Sequence, residues 1–218
     1  FYDGHGFMTR RSTGATRVRD LAGATICLQQ GTTNEQITTE YFRAQGLTFR
    51  PVLFAEQEQV VQALASGRCD ATGFDASGLA STRSALPNPG DWVILDERFS
   101  KEPYTPVIRR GDENWHDIVR WYIHALVQAE ESGITAANAE EQRRTSQDAN
   151  TRRLLGAVPE VGQALRLDPA WAFNAVRAIG NYGELYDRHF GPNTPIAMPR
   201  AQNNLWTNGG LLYAPPFR

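Results

Sequence analysis

Gly31, Thr32 and Thr33 form a short polar stretch whose position suits the binding of a small anion. The stretch follows the apolar run 24–28, which predicts a buried strand, and it precedes residues 34–44, whose apolar side chains recur at helical spacing. The first amides of a helix have no partner within the helix and lie at the positive end of its dipole, so a carboxylate or a phosphate is stabilised there. The two threonine hydroxyls would add donors. The stretch therefore predicts an anion site at a strand-to-helix turn.

Asp75 is a second candidate, because it ends another predicted strand. Residues 12–103 alternate strand patterns with amphipathic helical patterns, which indicates an α/β fold with a mainly parallel sheet. In such sheets ligands bind beyond the carboxyl ends of the strands, where the Gly31 turn and Asp75 would both lie. The turn offers donors to an anion and Asp75 offers a carboxylate to a cation, so the pair predicts a zwitterion site. The strands are predicted at 24–29, 48–54, 69–74 and 92–95, and the helices at 34–44, 56–65 and 77–86.

The rest of the chain has a different pattern. Residues 1–10 and 104–109 have extended patterns, and most of the chain after them is helical in its spacing of apolar residues. Thr135 is the predicted N-cap of a helix over 134–142. A cap residue followed by proline predicts the start of another helix over 168–186. The chain is therefore expected to have an α/β part and a largely helical part.

Composition and charge exclude several classes of protein. Of the 218 residues, 41% are hydrophobic and 21% are charged, which indicates a folded chain. The formal net charge is -2, from 22 basic and 24 acidic residues without a long run of either sign, so no nucleic-acid surface is expected. No dinucleotide or phosphate-loop fingerprint occurs and the histidines lack metal-ligand spacing, so neither a cofactor nor a metal is expected. The histidines, expected to be structural or at the surface, are His5, His116, His124 and His189.

The chain has two cysteines, Cys27 and Cys69. Cys27 lies in the first predicted strand of the sheet and Cys69 begins the third, so the two thiols meet if these strands are neighbours. Two buried free thiols are the alternative, because the outcome depends on the redox compartment. Metal binding by two cysteines without a nearby pair of histidines is not expected. We therefore predict a disulfide between Cys27 and Cys69.

Short motifs spread over the whole chain occur in a recognisable order. They are Tyr2-Asp3-Gly4, the segment 27–35, the segment 67–70 with Asp75 and 77–79 after it, and the segments 100–103, 111–119, 153–156, 181–184 and 205–216. Together they resemble the general L-amino-acid-binding proteins of bacterial ABC importers. The resemblance implies a periplasmic binding protein of two α/β lobes, joined by two crossing strands and closing over an amino acid in the cleft between them.

On that template, residues 12–103 are the second lobe, which carries half of the ligand site. Residues 1–11 and 104–218 become the crossing strands and the C-terminal, largely helical part of the first lobe. Members of the family carry a further segment before the position of Phe1, which builds most of the first lobe's sheet and supplies an arginine for the ligand carboxylate. The chain starts without an initiator methionine, so the resemblance predicts that this N-terminal portion is absent. The family's arginine is assigned to no residue here.

The resemblance assigns ligand contacts to five residues. Gly31, Thr32 and Thr33 match the turn that bonds the α-carboxylate, and Asp75 matches the aspartate that pairs with the α-ammonium. Asn34 stands where the family often has threonine, and it is also expected to contact the ligand. No residue is assigned a catalytic role.

Two places near this pocket depart from the family pattern. Phe74 stands where a small hydroxyl residue is common, and Tyr104 and Thr105 are bulkier than the usual pair at the second crossing. The resemblance therefore predicts recognition of a zwitterion without fixing the preferred side chain.

The expected function is that of a periplasmic solute-binding protein, which captures L-amino acids with broad specificity and delivers them to permease subunits. One alternative is an enzyme on the same architecture, resembling a prephenate or arogenate dehydratase, with Asp75 or Glu102 as the candidate general acid. Another is a fragment that assembles by swapping, because helices within 104–218 would expose apolar area and favour a homodimer.

Overall fold

The structure is a computed structural model that describes residues 1–158 and 160–217. It divides into two compact units, which we call the sheet unit, Phe1–Tyr104, and the helical unit, Thr105–Arg218. The strands are β1 (Tyr2–Asp3), β2 (His5–Arg10), β3 (Thr25–Gln29), β4 (Arg50–Phe54), β5 (Ala71–Asp75), β6 (Trp92–Ile94) and β7 (Glu102–Pro103). The helices are α1 (Thr33–Ala44), α2 (Gln57–Ala65), α3 (Ala76–Ala85), α4 (Glu113–Glu131), α5 (Ala139–Thr145), α6 (Ala149–Leu154), α7 (Glu160–Ala164), α8 (Trp171–Ile179) and α9 (Tyr182–His189). Short 3-10 helices cover Arg11–Thr13, Val18–Leu21, Pro89–Asp91, Ala201–Asn203 and Trp206–Asn208.

A five-stranded sheet organises the sheet unit, with the strand order β4-β3-β5-β2-β6. Strand β3 pairs in parallel with β4 and β5, whereas β2 pairs antiparallel with both β5 and β6. Four strands therefore point one way and β2 points the other way. The predicted α/β fold with a mainly parallel sheet is confirmed.

Strand β2 belongs to this sheet, whereas the sequence interpretation placed residues 1–11 outside the lobe at 12–103. Phe7 and Met8 are fully buried and enter separate apolar clusters, Phe7 with Leu28 and Met8 with Leu79. A strand buried on both sides lacks the polar and apolar alternation that marks a half-buried strand. The sequence pattern of β2 therefore did not reveal that it lies inside the sheet.

Cys27 and Cys69 form a disulfide with their Cα atoms 5.7 Å apart, as predicted. Both residues are buried. Cys69 lies just before β5, which begins at Ala71 rather than at residue 69. Asp70 bends the chain there, and its carboxylate accepts a hydrogen bond of 2.7 Å from the amide of Thr25 on β3.

Strand β7 pairs antiparallel with β1, and Tyr2 lies opposite Pro103. This second extended segment therefore lies before the predicted range 104–109. The two short strands form their own two-stranded sheet within the sheet unit.

The helical unit packs α4, α5, α6, α8 and α9 around one apolar core. Helix α4 is its longest helix and contributes buried residues from its C-terminal half. Among the described residues, no helix combines the length and the apolar character that a membrane span needs. The largest residues of the core are Leu126, Ile134, Leu154, Leu155, Phe173 and Phe217.

The predicted helix over 134–142 begins later than expected, at Ala139. Thr135 is therefore not the cap of this helix. Instead, its amide donates to the side-chain oxygen of Asn138 at 2.7 Å, and its hydroxyl accepts from the amide of Asn138 at 3.2 Å. These reciprocal bonds hold residues 135–138 in a turn that precedes the helix.

The predicted helix over 168–186 is split into α8 and α9. Gly180 separates them with a φ of +88°, a conformation in which glycine is unstrained. Asn181 then starts α9 with a capping box, because its side chain accepts from the amide of Glu184 and the carboxylate of Glu184 accepts from the amide of Asn181. An interruption of this kind falls within a continuous apolar pattern and does not disturb it.

Breaking the disulfide should destabilise the sheet unit. The bond joins residues separated by 42 positions, for which chain entropy predicts a loss of about 4 kcal/mol in the free energy of unfolding. Urea unfolding of the oxidised protein and of the protein treated with dithiothreitol measures this difference. In the Cys27→Ala, Cys69→Ala double variant, dithiothreitol should have no effect. Equal unfolding midpoints for the oxidised and reduced wild type would contradict the prediction.

Candidate functional site

The turn after β3 is closed by its own side chains. Gly31 has a φ of +73°, and its amide donates to the carboxylate of Glu35 at 2.6 Å. Thr32 is the N-cap of α1: its hydroxyl accepts from the amide of Glu35 at 3.3 Å and donates to the carbonyl of Gln29 at 2.8 Å. The Gly31 amide and the Thr32 hydroxyl are therefore already engaged in the turn. A glutamate three residues after a threonine cap is the spacing of a capping box, so the sequence did contain a signal for this arrangement.

Thr33 and Asn34 begin α1 and lie at the positive end of its dipole. Helix geometry gives the first amides of α1 no acceptor within the helix, and the other described residues provide none for these two. Thr33 is exposed, so its amide and its hydroxyl can both reach a ligand. Of the predicted anion contacts, Thr33 is therefore the one whose amide and hydroxyl are both open.

The side chain of Asn34 is buried and engaged with a histidine. Its Oδ1 lies 2.8 Å from Nδ1 of His5, and Nε2 of His5 lies 3.1 Å from the hydroxyl of Thr38. A carbonyl oxygen only accepts hydrogen bonds, so this geometry assigns the proton to Nδ1 and makes Nε2 the acceptor of the Thr38 hydroxyl. Asn34 thus reaches the site through its backbone amide, while its side-chain oxygen is bound to His5.

His5, for which a structural or a surface position was expected, is fully buried. It begins β2 and is paired in register with Asp75 at the end of β5. Burial lowers the pKa of His5, an effect that the hydrogen bond to Asn34 and the charge of Asp75 oppose. The ring packs directly against Gly73: a Cβ atom built on this glycine would lie 2.7 Å from Nε2 of His5. His5 therefore supports the first turn of α1 from beneath.

Asp75 lies at the end of β5, half-buried, and its carboxylate accepts a hydrogen bond from the hydroxyl of Tyr104. Asp75 occupies the N-cap position of α3, yet its side chain makes no capping bond. Asp3 provides this cap from β1, because its Oδ2 accepts from the amide and the hydroxyl of Ser77 at 3.0 and 2.5 Å. A capping role, the ordinary alternative for an aspartate at this position, is therefore filled by another residue.

The two halves of the predicted zwitterion site lie on one edge of the sheet. Strands β3 and β5 are parallel neighbours, so the start of α1 and the carboxylate of Asp75 both follow the carboxyl ends of adjacent strands. One half supplies open amides and a hydroxyl, and the other supplies an anion. Among the described residues, no group of three or more histidine, cysteine, aspartate or glutamate side chains could hold a metal ion.

Sequence comparisons relate the whole chain to transport proteins, although no protein-family model matches it. It is 50% identical over 218 residues to a glutamate/glutamine/aspartate/asparagine-binding protein of Rhodobacter capsulatus. It is 43% identical over 218 residues to a putative amino-acid ABC transporter-binding protein of Escherichia coli K12, and 43% identical over 220 residues to a general L-amino acid-binding periplasmic protein of Rhizobium johnstonii. Each match covers 100% of this chain, which spans 64% of the length of each relative.

A solved structure agrees with these sequence matches. It is an ABC transporter periplasmic binding protein from Brucella ovis with glutathione bound. The chain superposes on it with a TM-score of 0.94 and 44% identity, covering 100% of this chain and 69% of the other.

The buried imidazole should make the stability of the sheet unit depend on pH. Because burial lowers the pKa of His5 in the folded state, the unfolded state binds a proton first as the pH falls below about 6.5. The His5 contribution is therefore complete above that pH and decreases as the pH falls toward the lowered pKa. The free energy of unfolding of the wild type and of His5→Gln, measured from pH 8 to pH 5, should converge on the acidic side. Parallel pH profiles would contradict this assignment.

Proposed function

The chain belongs to the family of amino-acid ABC transporter-binding proteins, and we propose that it captures an L-amino acid and delivers it to the permease of an importer. One observation carries the proposal: the open amides at the start of α1 and the carboxylate of Asp75 follow neighbouring parallel strands. An amino acid carries the complementary pair of charges on one carbon atom. The proposed ligand therefore needs both halves of the site.

We assign the α-carboxylate of the ligand to the start of α1. The amides of Thr33 and Asn34 and the hydroxyl of Thr33 can donate to it, and the helix dipole adds to the attraction. Hydrogen bonds to a charged acceptor are about twice as strong as those between neutral groups. Thr33 is therefore the central carboxylate contact in the proposal.

Gly31 and Thr32 have a different part in the proposed site. The Gly31 amide and the Thr32 hydroxyl are bonded to Glu35, so these two residues shape the turn that aims the amides of α1. Asn34 is proposed as a backbone contact, because its side-chain oxygen holds His5.

We assign the α-ammonium group of the ligand to Asp75. A half-buried carboxylate at this edge stabilises a cation more than one in bulk water does, because the effective dielectric constant is lower there. All these contacts address groups that every amino acid shares. They are consistent with a broad choice of side chains, as the names of two relatives also suggest for those proteins.

The periplasm is the proposed compartment. The Cys27–Cys69 disulfide supports it, because such bonds persist in oxidising compartments.

The relatives matched over the whole chain are named as binding proteins, which favours ligand capture over the dehydratase alternative. The homodimer expected from the helices within 104–218 stays a prediction, for which sedimentation is the measurement.

Replacing the proposed ammonium partner should weaken binding strongly. In Asp75→Asn, a buried ammonium group would lose its counter-ion, a change that typically raises the Kd by about 30-fold or more. Calorimetry with a panel of L-amino acids measures the effect.

Asp91→Asn is the matched control for this substitution. Asp91 is exposed and lies just before β6, at the opposite edge of the sheet, so the variant has the same change in net charge. Its Kd should equal that of the wild type. An unchanged Kd in Asp75→Asn would remove Asp75 from the site, and binding of none of the amino acids by the wild type would end the proposed function.

A further inference from the structure

Tyr104 is tied by its backbone to the start of the chain. Its amide donates to the carbonyl of Phe1 at 2.8 Å, and its carbonyl accepts from the nitrogen of Phe1 at 3.1 Å. These bonds extend the pairing of β1 with β7 by one residue. The backbone of Tyr104 is therefore fixed relative to the sheet unit.

The side chain of Tyr104 is held far less firmly than its backbone. The residue is 49% exposed, and its ring contacts Phe1 at the long centroid distance of 6.3 Å. Its hydroxyl donates to Oδ2 of Asp75. Partial burial, with a further contribution from the bond to Asp75, raises the pKa of Tyr104, so the hydroxyl keeps its proton at neutral pH. The phenol is thus a neutral donor that can rotate away into solvent.

We propose that the Tyr104 hydroxyl occupies the place of the ligand ammonium group on Asp75 in the ligand-free protein, so that an incoming amino acid must displace it. This inference rests on the proposed function, because it takes Asp75 as the ammonium partner. Both groups donate a hydrogen bond to the carboxylate of Asp75, and only the ammonium group carries a charge. The phenol therefore competes with the ligand for Asp75, but its hydrogen bond to the carboxylate is weaker than that of an ammonium group.

The competition gives Tyr104 a role in setting the affinity. An ammonium group forms a charge-assisted bond with the carboxylate and displaces a neutral hydroxyl, whereas a ligand with an uncharged nitrogen gains no such advantage. The apparent affinity for any ligand is reduced by the fraction of molecules in which Asp75 is covered. Tyr104 therefore lowers the affinity for all ligands by the same factor and leaves the ratio of their affinities unchanged.

A supporting role for the Tyr104 hydroxyl predicts the opposite change in Kd. If the hydroxyl stayed in place and helped to hold the ammonium group, its removal would weaken binding. Tyr104→Phe removes the hydroxyl and leaves the ring, so the sign of the change in Kd separates the two roles.

The test is calorimetric titration of wild type and Tyr104→Phe with L-glutamine and L-glutamate. Tyr104→Phe should bind about three- to tenfold more tightly, because a competing hydrogen bond is absent. In the Asp75→Ala background, which has no side-chain oxygen for the hydroxyl to bind, the same substitution should have no effect. Tyr41→Phe is the matched control: it removes a hydroxyl from a ring that packs against Phe42 and Phe99, and its Kd should equal that of the wild type.

The possible results separate this inference from the proposed function. An equal or weaker affinity in Tyr104→Phe, with binding by the wild type, would overturn the displacement model and leave the proposed function intact. Absence of binding by both proteins would overturn both.

Discussion

Strand β2 runs against its neighbours between β5 and β6, and the candidate site depends on this antiparallel placement. Because β2 is reversed, it begins at the edge where the parallel strands end, and His5 lies opposite Asp75. His5 then reaches α1 and bonds to Asn34 and Thr38. The preceding strand brings Asp3 to the start of α3. A parallel strand in this position would bring its other end to this edge and leave both helix starts without these partners.

The polar groups at this edge divide into those that are bonded within the protein and those that remain open. Glu35 holds the Gly31 amide, His5 holds the Asn34 side chain, and Asp3 caps α3 in place of Asp75. Bonds of this kind fix the turn and the first residues of α1 in position. A rigid surround reduces the entropy that a ligand loses on binding, because the donors are already aimed. The open groups include the amides of Thr33 and Asn34, the Thr33 hydroxyl and a carboxylate whose hydroxyl partner can leave.

The sequence was informative where periodic patterns or covalent chemistry decide the structure. The apolar run before Gly31 identified β3, and the two cysteines next to neighbouring strands identified the disulfide. The extended pattern of residues 1–10 was predicted, but the place of β2 inside the sheet was not. Its residues are buried on both faces, so its neighbours rather than its own pattern define that place. The role of His5 depends on the same long-range pairing with β5.

The candidate site also has features that the sequence predicts and features that depend on long-range contacts. Thr33 and Asp75 could be proposed from their positions after predicted strands, since that edge is fixed by the fold class. Which donors stay open could not be predicted in the same way. It depends on which side chain reaches which amide, as Glu35 reaches Gly31, and on a residue as distant in sequence as Tyr104 reaching Asp75. Only the capping-box spacing of Thr32 and Glu35 offered a local signal.

The most direct measurement compares ligand affinity in Thr33→Pro and Thr33→Ala. Proline is favoured at the first position of a helix and Thr32 already has an extended backbone, so Thr33→Pro removes the amide donor without disturbing α1. Thr33→Ala removes only the hydroxyl. If the Thr33 amide binds the α-carboxylate, calorimetry should show about tenfold or greater weakening of amino-acid binding in Thr33→Pro relative to Thr33→Ala. Equal affinities in two folded variants would contradict a carboxylate site at the start of α1.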